Sequence, residues 1–278
     1  MTQPAASKLL REVEDALEVK LFDRHARGVT PTWYGEILVR HARLALSAIA
    51  LAQDEIANLK AGFSGRAHIG TVTGPATNLV PLAVAQVKNR HPAMLIGVEV
   101  DSSKPLVAKL LQGQFDMLVA RVSDSEGADS LVFEPLVREQ VAVIAGPSHP
   151  LAGRGDATFH QLIDQAWILP APGSLLRDQL VASILRRGLP VPKNIIESTS
   201  LPFIISLLRT SNMVAALSSD CVQAYCDAGL LTVLVRDLGV DLGSFGIITR
   251  RHFGLSPGAQ LMLNALRETA TKLYAAST

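Results

Sequence analysis

The hydrophobic pattern of the chain changes period once, near residue 62. Ahead of that point it is helical. Ala6, Leu10, Val13 and Leu17 recur at three and four and form one apolar face. Thr2 stands where an N-cap belongs, and Pro4 falls in the first turn, where its missing N–H costs nothing. The polar, basic run Asp23-Arg24-His25-Ala26-Arg27-Gly28, closed by Val29, predicts a short ribbon or loop. Thr32 then caps a second helix, with Glu36 in its first turn, where negative charge suits the helix dipole. Leu38, Ala42, Ala45, Ile49, Ala52, Ile56 and Leu59 keep the three/four spacing as far as Ala61. At 1.5 Å per residue this helix is roughly 40 Å long. A long amphipathic helix with a small-residue seam leaves apolar surface wet in a monomer, so it predicts pairing with a second helix.

Gly62-Phe63-Ser64-Gly65 reads as a linker, and beyond it short strands alternate with helices. Strands are expected at 67–72, 95–100, 117–120, 141–145, 167–169, 195–197, 213–217, 231–235 and 245–248. Helices are expected at 79–89, 106–112, 175–187, 201–208 and 260–273. That alternation calls for open α/β sheets with crossover helices, and the strands are too many for one compact sheet, so two α/β lobes follow. No internal repeat interrupts this order.

Composition narrows the function. Of 278 residues, 48% are hydrophobic and 18% charged, enough for a sizeable core and incompatible with global disorder. Lys and Arg number 26 against 25 Asp and Glu, so any contact with nucleic acid must come from a local patch. The apolar-rich stretch 44–52 falls far short of the roughly 18 residues a membrane span needs. Cys221 and Cys226 are too few for a disulfide framework, and their offset turns them to nearly opposite faces of a helix. With no signal-peptide pattern after Met1, a cytoplasmic protein with free thiols and no membrane partner is expected.

The chain lacks a G-x-S-x-G elbow, a P-loop, a G-x-G-x-x-G and an H-E-x-x-H, so no catalytic residue, metal set or cofactor is expected. His149, in a turn-like run, reads as structural. Four strand ends run into small polar residues at helix starts: Thr73-Gly74-Pro75-Ala76-Thr77, Asp101-Ser102-Ser103, Gly173-Ser174 and Ser198-Thr199-Ser200. In open α/β sheets such ends form the ligand crevice, and helix N-termini offer N–H groups to an anion. Each Ser or Thr is equally explained as a cap. Arg121, at the end of another strand, is either a fork for a ligand carboxylate or half of a surface salt bridge. On the first helix Gln3, Ser7 and Arg11 share a face with Lys8 beside them, types that reach base edges and phosphates. Arg24, His25 and Arg27 add positive charge, while Glu12, Glu14 and Asp15 make a solvated face an equal account.

The segment Thr2-Gln3-Pro4-Ala5-Ala6-Ser7, then Leu17-Glu18-Val19-Lys20-Leu21-Phe22-Asp23-Arg24, then Arg27-Gly28 with Thr32 and Gly35-Glu36, resembles the LysR-type transcriptional regulators. It is similar to that family's S/T-Q-P-A-x-S recognition helix, its L-G-x-x-L-F-x-R and its R-G-x-x-x-T-x-x-G-E pattern. Leu111-Gln112-Gly113-Gln114-Phe115-Asp116 and Ser148-His149-Pro150-Leu151-Ala152 resemble landmarks farther on, so the likeness spans the chain. It implies a partial winged helix-turn-helix over 1–32, a dimerising linker helix over 33–61, and a two-lobed effector domain over 66–278 like type 2 periplasmic binding proteins. Lobe I would comprise 66–137 and 245–278, and lobe II 138–244. Thr2, Gln3, Pro4, Ser7, Lys8, Arg11 and Arg27 would face operator DNA. Thr73, Gly74, Pro75, Thr77, Ser102, Ser103, Arg121, Ser174 and Thr199 would line a cleft for a small organic, anionic effector. A homodimer or homotetramer is implied.

Two departures carry expectations. Glu18 occupies the family's glycine position and gives up an easy left-handed cap. The sequence also starts within the recognition helix, ahead of which the family has two further helices. Ala6, Leu10 and Val13 are then expected to lack a packing surface and operator binding to be weak, which keeps open a binding module without DNA activity. An α/β enzyme with an unfamiliar motif is the remaining rival.

Overall fold

A computed structural model of the chain describes residues 3–25, 28–60, 65–122, 128–154, 157–251 and 253–275. Helix α1 (Gln3–Leu17) leads into a pair of antiparallel strands, β1 (Phe22–His25) and β2 (Gly28–Pro31), so the described part of the basic run forms a ribbon. The Glu14 carboxylate accepts from the Leu21 and Phe22 N–H groups at 2.7 and 3.2 Å, tying ribbon to helix. Thr32 caps α2 (Trp33–Lys60) as expected, its hydroxyl accepting from Gly35 N at 3.1 Å. The cap proposed at Thr2 and the linker residues 61–64 lie outside the described residues.

The rest of the chain builds two five-stranded sheets. The first receives β3 (Arg66–Thr71), β4 (Leu95–Val100), β5 (Met117–Ala120) and β6 (Leu131–Arg138), with α3 (Thr73–Thr77), α4 (Leu79–Arg90) and α5 (Ser103–Leu111) between them. The second receives β7 (Val141–Ala145), β8 (Trp167–Leu169), β9 (Ile195–Glu197), β10 (Val214–Ser218) and β11 (Thr232–Val235). Helices α6 (Phe159–Ile163), α7 (Leu175–Arg186), α8 (Leu201–Thr210) and α9 (Ser219–Asp227) accompany it. The chain then returns to the first sheet as β12 (Ser244–Arg250) and ends on α10 (Pro257–Tyr274). Strand orders are β4-β3-β5-β12-β6 and β11-β7-β10-β8-β9, so the chain passes between the lobes at 139–140 and back at 236–243.

Alternation in β5 shows why the sheets hold. Met117 and Val119 face a core built with Phe245, Met262 and Leu266, whereas Leu118 and Ala120 face Leu106, Leu110 and Phe115. All four strand residues are buried, as a central strand covered on both faces requires. In the second lobe Val143 and Trp167 meet α7 through Leu180 and Ile184, while Ile144 and Ile168 meet α8 through Ile204 and Leu208. Ser174 caps α7 through Arg177 N, and Ser256 caps α10 through Ala259 N, with a proline at the first helical position.

The pattern missed β6 and three short helices. β6 is an edge strand whose register shifts between Phe245 and Gly246, where Pro135 is accommodated. Gly246 is required there, because a Cβ would collide with the Glu134 carbonyl oxygen. Helices α3 and α6 are a single turn long, too short to display a period, and α9 begins on the residue after β10.

Candidate functional site

The parallel strands β3, β4 and β5 and the strands β8, β9 and β10 end where the expected small polar residues lie. Thr73 to Thr77 form the short helix α3, with Gly74 and Pro75 buried. The Thr77 hydroxyl donates to Gly74 O at 2.7 Å and to Asp220 O of α9 at 3.3 Å, which bridges the lobes. A Cβ on Gly74 would collide with Glu139 Oε1 and come within 3.6 Å of Ser218 Oγ. The Ser103 hydroxyl accepts from Arg121 N at 3.2 Å. Gly74, Thr77, Ser103 and Arg121 thus converge on one junction, reached from the second lobe by Ser218 and Asp220.

Arg121 corrects both expectations for it. It is neither an open fork nor a surface pair: its guanidinium meets the Glu139 carboxylate, and the side chains are 16% and 2% exposed. The physical reason is topological. Glu139 follows β6 and precedes β7, so the crossover delivers it to the end of β5, a placement no local pattern encodes. Burial pushes the Arg121 guanidinium down to about 10, against a raising contribution from nearby Cys221. Arg121 Nε and Glu139 Oε2 are buried with no hydrogen-bond partner among the described residues, while the Ser218 hydroxyl hydrogen-bonds with the Cys221 thiol.

The remaining cleft candidates spread outward. Ser102 is exposed and its N–H donates to Asp101 Oδ1 at 2.7 Å, with no capping bond from its hydroxyl. Ser174 is occupied as the α7 cap, and Thr199 is exposed beyond β9. The sequence reading missed Glu139, Ser218, Asp220 and Cys221. A charged residue two positions ahead of the apolar run 141–145 was the one visible signal for Glu139. Cys221 is buried and its thiol is pushed up to about 11 by that burial, so it is protonated at neutral pH. Burial also raises Asp220, against the lowering contributed by Asn78 and Tyr274. His149 is structural as expected, its ring joining Asn212 O and Leu151 N at 3.2 and 3.1 Å.

The N-terminal segment carries the basic candidates. Ser7 is half-buried, Lys8 and Arg11 are exposed, and Lys8 pairs at 3.9 Å with Glu12 one turn on. Gln3 and Pro4 belong to α1, while Thr2 and Arg27 lie outside the described residues. Across α1, Leu9, Val13 and Leu17 are 52%, 38% and 50% exposed. Among the described residues no three His, Cys, Asp or Glu converge as a metal site, and no helix is long and apolar enough to cross a membrane.

Comparison with known proteins matches each part separately. Residues 1–36 match the bacterial regulatory helix-turn-helix protein, lysR family, and residues 60–271 the LysR substrate binding domain. The chain belongs to the LysR family. This LysR-type transcriptional regulator is 36% identical over 268 residues to the HTH-type transcriptional regulator GbpR of Azospirillum brasilense, covering 96% of this chain and 78% of that one. Its fold is shared with a full-length OxyR variant from Pseudomonas aeruginosa, at a TM-score of 0.61 and 24% identity, covering 97% of this chain and 90% of the other. The effector binding domain of QuiR in complex with shikimate superposes with a TM-score of 0.60 at 16% identity, over 75% of the regulator and 98% of that domain.

Proposed function

We propose that this regulator grips operator DNA with α1 and the β1–β2 ribbon and senses a small organic acid held between its two lobes. The division follows the chain: 1–32 for DNA, 33–61 for pairing through α2, and 66–278 for the effector. Lobe I takes 66–138 with 244–278 and lobe II takes 139–243, each boundary moved one residue from the expected 137/138 and 244/245 because Arg138 and Ser244 pair within the first sheet. Thr2, Gln3, Pro4, Ser7, Lys8, Arg11 and Arg27 are the DNA-facing set. Thr73, Gly74, Pro75, Thr77, Ser102, Ser103, Arg121, Ser174 and Thr199 are the effector-facing set. The regulator works in the cytoplasm as a homodimer or homotetramer, and it regulates rather than catalyses.

The observation that supports this most is the junction where Gly74, Thr77 and Arg121 of one lobe approach Ser218 and Asp220 of the other. A molecule held there touches both lobes, so it favours one lobe arrangement over another, which is what coupling to DNA requires. The bound acid in the QuiR domain is of the class this reading assigns.

Selection from random duplex DNA followed by fluorescence anisotropy tests the DNA half. An enriched sequence should bind with a salt slope steepening by about one unit per phosphate contact. Lys8→Ala and Arg11→Ala should each flatten that slope by about one unit and leave the melting temperature unchanged. One observation favours a second reading, a small-molecule-binding module without DNA activity: the apolar face of α1 is open at Val13 and Leu17. Failure to enrich any sequence above bulk duplex would select that reading.

A further inference from the structure

We infer that Glu139 is a resident stand-in for the effector's acidic group, so that effector binding is an exchange of one oxyanion for another on Arg121. This rests on taking the inter-lobe junction as the effector site. Both charges of the Arg121–Glu139 pair are withdrawn from water, and neither is tolerated alone in such a place. A newcomer to the Arg121 fork must therefore bring negative charge itself and displace the carboxylate already there. The fork is also incompletely used. Arg121 Nε is buried without a hydrogen-bond partner among the described residues, and so is Glu139 Oε2 beside it. An oxyanion seated across the fork can satisfy Nε as well as the terminal nitrogens, as guanidinium geometry allows.

Glu139 is placed so that its release is felt by both lobes. Only residues 139 and 140 separate β6 from β7. Glu139 N donates to Gly243 O on the returning crossover at 3.5 Å, and Gln140 O accepts from Ser219 N at the start of α9 at 3.0 Å. When the carboxylate leaves Arg121, the hinge loses its tie to the end of β5. Gly74 makes room for the resident state, because any side chain there would strike Glu139 Oε1. A lone inorganic anion therefore competes poorly in the wild type, where the rival carboxylate is tethered at high effective concentration.

Inorganic phosphate is the probe, titrated into the full chain against sodium chloride of equal ionic strength, with the melting temperature as readout. Glu139→Gln keeps the shape and removes the charge, and it should lower the phosphate concentration for half-maximal stabilisation at least tenfold. Gly74→Ala evicts the carboxylate by contact instead, and should shift the response in the same direction. The double variant Arg121→Gln/Glu139→Gln should lose the gain. Equal phosphate responses in wild type, Glu139→Gln and Gly74→Ala would overturn the exchange, as would a gain that survives the loss of Arg121. Because no DNA is present, failure to select an operator leaves this test standing.

Discussion

Glu18 holds a backbone conformation that its side chain resists. Its φ is +54°, in the left-handed region, at the residue that follows α1. For a residue with a Cβ that conformation costs roughly 1–2 kcal/mol, and a carboxylate at a helix C-terminus also faces the negative end of the dipole. Glu18→Gly should therefore raise the stability of the N-terminal part by about 1 kcal/mol after glycine's own entropy cost. Denaturant unfolding followed by helix signal would show this, and an equal gain from Glu18→Ala would remove the conformational explanation. The motif identified Glu18 as standing in a glycine position, yet that the chain still turns left-handed there needed coordinates. Arg121 follows the same rule. Its charge and its strand-end location were legible, but its partner was not, because Glu139 reaches it only through the path of the crossover.

Helix α2 is the element most openly written in the sequence. Its seam was expected over 33–61 and the helix runs over Trp33–Lys60. Ile49 and Ile56 are 57% and 55% exposed, with Leu46 at 67%, more aliphatic surface than a lone helix gains from leaving in water. If two α2 helices pair, each of these side chains contributes roughly 1.5–3 kcal/mol when covered. Ile49→Asp and Ile56→Asp should each weaken self-association by roughly ten- to a hundredfold, a tenfold change being about 1.4 kcal/mol. Sedimentation over a concentration series measures it, and an oligomer unmoved by either change would exclude α2 as the pairing element. Strand β6 was illegible for the opposite reason. An edge strand carrying a proline and a register shift shows no clean alternation, and only the partner β12 explains it.

At the scale of the whole molecule, the end of β6 is joined to the returning crossover by Arg138 and Asp241, with Nη2 and Nε donating to the carboxylate at 2.5 and 3.2 Å. Arg138 and then the Gly243 N–H hold the Asp241 carboxyl below its ordinary value of 3.8. A carboxyl whose folded pKa is lowered stabilises the fold above its unfolded value, and that contribution disappears as pH falls through the folded one. Wild type should therefore melt higher than Asp241→Asn at neutral pH. The gap should persist down to about pH 4 and close below it. A gap that widens on acidification would reverse the sign and refute the latch.

By itself, the sequence determined the helical faces of α1 and α2, most strands of both sheets, the break near residue 62 and the motif residues that carry the family. All of these depend on interactions between near neighbours, whose period and capping chemistry are local. Only the tertiary structure decided that Arg121 already meets a carboxylate, that a side chain on Gly74 would strike that carboxylate, and that Asp220 meets Thr77 across the lobes. Those pairings join residues distant along the chain, and antiparallel β12 and the two crossovers, rather than any short-range pattern, bring them into contact.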